Sequence, residues 1–166
     1  MKKLLLITTI PALSFGAQAT TNAVLKLESA NNNELHMMLE ADQDVYGIQF
    51  DVLYNPNQIA LSEDNINHMF SSSDSRINMS IYSKIKEPGI ARVIMFDLGG
   101  QALLTADNVE KVIKLSYDVG DNYKGTSEIT INNIVAAGHH GAEVTTQELL
   151  NYHVDTTNAN NSFNSN

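Results

Sequence analysis

Side chains able to do chemistry are common in this 166-residue chain, but their spacing assembles no reaction centre. With 19 acidic residues a carboxylate pair for glycoside hydrolysis would be easy to supply, yet none stands apart from the rest. There is no cysteine nucleophile. Gly-x-Ser-x-Gly, His-Glu-x-x-His and a glycine-rich phosphate loop are missing too, so no catalytic residue is expected. His139-His140 is the densest pair of metal ligands. Adjacent residues of a strand point to opposite faces, and only Glu143 lies near, so solvated turn histidines are expected there and no metal site. Asp42, Asp44, Asp118 and Asp121 fall in turns where carboxylates gather calcium. The EF-hand spacing is absent, and turns favour aspartate for their own backbone reasons. No cofactor is expected, calcium being the one ion these residues would suit.

What remains is recognition, and it centres on Tyr46 to Pro56. Ile48, Phe50, Val52 and Tyr54 fall on one side of a period-2 pattern, with Gln49, Asp51 and Leu53 on the other: a strand with one buried face. Asn55-Pro56 ends it, because proline donates nothing to a ladder. A second strand, Ala91 to Asp97, offers Arg92, Ile94 and Phe96 on one side and Val93, Met95 and Asp97 on the other. Both sides carry apolar residues, so one is covered by a loop or a partner, or is left as an exposed patch. Two coverings stay open. The loop Gly99–Asn108, with Leu103 and Leu104, would fold over it. Alternatively a helical partner docks there through Leu53 and Ile94, with Gln49, Asp51 and Arg92 supplying hydrogen bonds at the rim.

Short strands at hairpin spacing fill the rest. They are expected at Ala23–Leu27, Leu35–Ala41, Ile59–Leu61, Met79–Ile85, Val109–Val119, Thr126–Val135 and Ala142–Thr146, with Leu149–Val154 a candidate to close the sheet. One helical turn is expected within Asn65–Phe70, and the serine-rich run 71–75 is the least ordered part of the middle. About eight or nine strands and almost no helical period predict an all-β single sandwich of jelly-roll type.

Lys2-Lys3, the apolar run Leu4–Ile10 and Ala17-Gln18-Ala19 read as a secretory signal peptide over 1–19, too short to span a bilayer. Cleavage would remove two lysines and no acid, deepening a formal charge of −9 by two. That balance argues against nucleic acid and anionic membranes, and Lys84, Lys86, Arg92, Lys111, Lys114 and Lys124 look scattered. The domain is placed at 20–154, of a size that carries its own core without disulfides. From 155 to 166 the composition is Asn, Ser and Thr, expected to be a disordered tail. Export would end in the periplasm or outside, with no membrane anchor.

Three blocks together resemble a known family. Gly47-Ile48-Gln49-Phe50-Asp51-Val52-Leu53-Tyr54-Asn55-Pro56 is similar to a strand that runs into a proline turn. Arg92-Val93-Ile94-Met95-Phe96-Asp97-Leu98 is similar to a second strand, and Gly125 through Ile134-Val135-Ala136-Ala137 to Val144 to the closing block. The order and spacing resemble cohesin-type domains, the secreted jelly-roll modules that hold dockerin-bearing partners. The resemblance implies a non-catalytic interaction domain that binds a dockerin-like partner through one sheet face. Gly47 and Gln49 stand at the counterparts of two polar dockerin contacts, and His139-His140 stands where the family usually shows an acidic pair.

Two other readings belong to different classes. A carbohydrate-binding module needs exposed aromatics, and the chain has no tryptophan; a solvent-facing row of Tyr46, Tyr82 and Tyr123 would serve. A self-associating structural subunit needs an open sheet edge, for which Ala23–Leu27 is the candidate.

Overall fold

The computed structural model describes residues 22–31, 33–71, 78–120, 123 and 125–157. The expected signal peptide, most of the serine-rich run, Asp121, Lys124 and the end of the tail lie outside the described residues. Among the described residues no helix is long and apolar enough to cross a membrane.

Two antiparallel sheets face each other. The first orders β1 (Ala23–Asn31), β2 (Glu34–Ala41), β8 (Asn108–Ser116) and β5 (Ile66–His68). The second is built on β10 (Thr126–Ala137), β3 (Gly47–Tyr54), β7 (Ile90–Asp97) and β6 (Met79–Glu87), in that order. The far side of β10 pairs with β11 (Glu143–Val144) and β12 (Leu149–Asp155). A small ladder joins β4 (Ile59–Ala60) to β9 (Asp118–Val119). Alternation explains the layers. Leu35, Met37 and Leu39 of β2 and Ile48, Phe50 and Val52 of β3 are all buried, as are Val93 and Met95 of β7. They meet in one core between the sheets.

The β-sandwich agrees with the sequence, while the strand count differs, with twelve strands among the described residues. Ile66–His68 was expected within a helical turn and is a strand, because the open side of β8 takes it into register at Ile66 opposite Leu115. The helical geometry falls just before it, as a 3-10 turn at Glu63–Asn65. Val109–Val119 does not run straight. Tyr117 leaves the ladder to donate its N–H to the Asn33 carbonyl, and Asp118–Val119 pairs instead with β4. The domain also continues past residue 154. Asp155 pairs with Thr126, and the buried Thr156 hydroxyl donates to the Gly125 carbonyl at 2.7 Å.

Leu103 and Leu104 do not cover the outer side of β7. Both are buried in the core, held by backbone bonds from their N–H groups to the Val45 carbonyl. The loop packs into the sandwich and, among the described residues, leaves the outside of the second sheet open.

Sheet edges are partly closed. Gln147 accepts from the Leu25 N–H at 3.0 Å and donates to the Leu25 carbonyl at 2.6 Å, as a neighbouring strand would. The Ala23 N–H is taken by the Thr145 carbonyl. The proposed polymerising edge Ala23–Leu27 is therefore occupied by its own chain over its first half. On β6, the Ile85 N–H donates to Glu63, which blunts that edge in the same way.

Candidate functional site

Pairing across β10, β3, β7 and β6 sets the outward side chains in rows. Val135 stands opposite Gln49, Gln49 opposite Ile94, and Ile94 opposite Tyr82. One step along, Asn132, Asp51, Arg92 and Lys84 form the adjacent row. Beyond that row Leu53 lies opposite Ile90 and Thr130, and in the other direction Gly47 lies opposite Phe96. Val135 is 53% exposed, Tyr82 56% and Ile94 36%. Three apolar residues across four strands are thus left to solvent around the half-buried Gln49. Tyr82 stacks on Phe96 with ring centroids 5.8 Å apart. Gly47 adds no side chain beside Phe96, which keeps that end flat.

All five residues singled out from sequence, Gln49, Asp51, Leu53, Arg92 and Ile94, come together on this face. Their roles differ from a shared rim. Asp51 is only 5% exposed. Its Oδ1 accepts from Arg92 Nε at 2.7 Å, and its Oδ2 accepts from Arg92 Nη2 at 2.8 Å and from Asn133 Nδ2 at 2.9 Å. The Arg92 hydrogen bond holds the Asp51 carboxyl below its ordinary range against the opposing effect of burial. Asp51 therefore orients Arg92 and has little acceptor capacity left for a partner. Gln49, Leu53 and Ile94 remain outward, with Arg92 half-buried between them.

The sequence missed Val135, Lys84 and Lys86 on this face, and set Tyr82 in a row with Tyr46 and Tyr123 instead of beside Ile94. Strict alternation from Ile129 and Ile131 assigns Val135 to the core. A bulge between Asn132 and Val135, with Asn133 at φ 50°, reverses the parity: Ala136 is buried and Val135 faces out. The Asn132-Asn133 pair was the available signal, since asparagine tolerates the left-handed region. The lysines looked scattered along the chain, but the hairpin of β6 and β7 puts Lys84 opposite Arg92 and Lys86 beside them.

The other candidates do not assemble. His139 and His140 sit on an exposed 3-10 turn with their rings 3.9 Å apart, His139 tilted against Tyr46 at 5.4 Å. Asp42 accepts from Asn22, and Asp44 accepts from the Ala106 N–H, so both serve loops. Among the described residues no three histidine, aspartate or glutamate side chains converge as a metal site. Tyr46, Tyr82 and Tyr123 make no row. The Tyr46 N–H binds the carbonyl of Ala137 at one end of β10, while the Tyr123 hydroxyl binds that of Thr126 at the other, about 35 Å away along a strand of that length.

A model of the cohesin domain matches residues 28–155. Among solved structures, the cohesin module of a family 33 glycoside hydrolase from Clostridium perfringens is 18% identical, with 82% of this chain and 97% of that one covered and a TM-score of 0.61. A cohesin of Clostridium thermocellum solved in a type I cohesin–dockerin complex is 14% identical, covering 81% and 98%, with a TM-score of 0.61. A non-cellulosomal cohesin from the archaeon Archaeoglobus fulgidus is 14% identical, covering 80% and 88%, with a TM-score of 0.57. No curated protein matches. The match over most of its length makes this chain a member of the cohesin domain family.

Proposed function

We propose that this chain is a secreted, non-catalytic docking module that binds a dockerin-like protein partner through the outward face of β10, β3, β7 and β6. The observation that carries this reading is the row Val135–Gln49–Ile94–Tyr82, three of whose members are exposed apolar residues that no described segment covers. Apolar side chains spread over one sheet face and rimmed by polar ones are what a partner covers. The Asp51–Arg92–Asn133 network stiffens the neighbouring row, so the face is largely arranged before binding and little ordering entropy is lost on docking. Family membership supports the same reading, and the dockerin complex of the Clostridium thermocellum relative supplies the partner class.

The test is capture from the secreted fraction of the producing cell, with the chain from residue 20 onward and a Gln49→Arg, Leu53→Asp variant immobilised side by side. A dockerin-like protein retained by the first and lost by the second is the expected result. Equal retention by both, or none by either, would remove this face as the docking surface.

A further inference from the structure

The docking face is not electrically neutral. At the β6–β7 end it holds a groove of about 380 Å³ lined by Tyr82, Ser83, Lys84, Lys86, Arg92 and Ile94, with no carboxylate in the lining. The chain as a whole carries −9, so a local excess of cations runs against the general field. Asp51 balances Arg92 and lies within electrostatic reach of Lys86. Lys84 and Lys86 are exposed, and neither forms an ion pair among the described residues. Two lysines of the opposite sheet are paired, Lys26 with Glu40 and Lys111 with Glu28. Among the described residues the face thus keeps two lysines outside any ion pair at one end of an apolar row, set on an acidic protein.

We propose that the segment docking here is an acidic amphipathic helix, with aliphatic residues over Val135 and Ile94 and carboxylates meeting Lys84 and Lys86. This deepens the docking reading and rests on it. A helix laid over the face is favoured above an added strand because Glu63 already occupies the Ile85 N–H on the β6 edge. Charge complementarity fixes the sign. A carboxylate over the groove is attracted by the lysines and repelled by the acidic remainder, which fixes both the place and the direction of docking. Apolar walls from Tyr82 and Ile94 reduce the screening of those pairs once water is displaced.

The test uses three synthetic helical peptides with one aliphatic face and glutamate, glutamine or lysine at the positions that would meet Lys84 and Lys86. Each is titrated into the chain from residue 20 onward, and into its Lys84→Glu, Lys86→Glu variant, with NMR shifts as the readout. The glutamate peptide is expected to bind about tenfold more tightly than the lysine peptide, with the order reversed in the variant. Shifts should centre on Gln49, Tyr82 and Ile94, and the preference should fade with added salt. Equal binding of all three on this face would overturn the charge inference and leave docking standing. Tightest binding by the lysine peptide would overturn it too. No shift on this face from any peptide at about 1 mM, a free energy of only some −4 kcal/mol, would count against both readings.

Discussion

Asn133 holds a left-handed backbone, φ 50°, and from it donates to Asp51 Oδ2 on the neighbouring strand at 2.9 Å. One residue thereby reverses the parity of β10, turns Val135 outward and completes the carboxylate's hydrogen bonding. Asn133→Gly keeps the backbone and loses the amide, and is expected to cost about 1 kcal/mol. Asn133→Val loses both and is expected to cost about 2–3 kcal/mol. Urea unfolding of the two variants checks the order; equal costs would mean that the bulge needs no left-handed residue.

Asp51 gives a pH signature. Its folded pKa is lowered, so its contribution is complete above the unfolded value of about 4 and is lost as pH falls through the folded one. Asp51→Asn is expected to be less stable than the wild type at neutral pH by about 2 kcal/mol. The gap should narrow below pH about 4. A gap constant from pH 7 to the lowest pH at which both fold would show that the Arg92 pairing is not what stabilises the carboxylate.

The chain's own sequence made the strands that bury one side legible. Ile48, Phe50 and Val52, or Leu35, Met37 and Leu39, alternate cleanly because nothing interrupts their ladders. Parity failed where a bulge intervened, at Val135. Length failed where a short segment is strand only through its neighbour, as at Ile66–His68. The outward placement of Gln49, Leu53, Arg92 and Ile94 on one face was legible from two strands read separately. Lys84 and Lys86 were not, since their meeting with Arg92 depends on the register of β6 against β7, which no local pattern fixes. Asp51 was read as a rim acceptor because sequence shows a residue's side of a strand and not its hydrogen-bond partners.

Gly89 sets that register. It turns the β6–β7 hairpin at φ 91°, and a Cβ there would lie 2.7 Å from the Tyr54 carbonyl oxygen. Gly89→Ala is expected to lower stability by about 2–3 kcal/mol, read by thermal or urea unfolding. A neutral substitution would mean that the hairpin is free to lift from β3.

Gln147 closes the β1 edge through its two bonds to Leu25. Gln147→Ala is expected to speed exchange of the Leu25 amide by about tenfold, the equivalent of roughly 1.4 kcal/mol. It should also promote concentration-dependent self-association, read by sedimentation. Unchanged exchange would show that another segment protects the edge.

The most direct test is methyl NMR of the chain from residue 20 onward, titrated with the protein it captures from the secreted fraction. Ile94, Val135 and Leu53 methyls should shift together, while Val109, exposed on the opposite sheet, stays still. Shifts at Val109 with Ile94 and Val135 unmoved would contradict docking through the β10–β3–β7–β6 face.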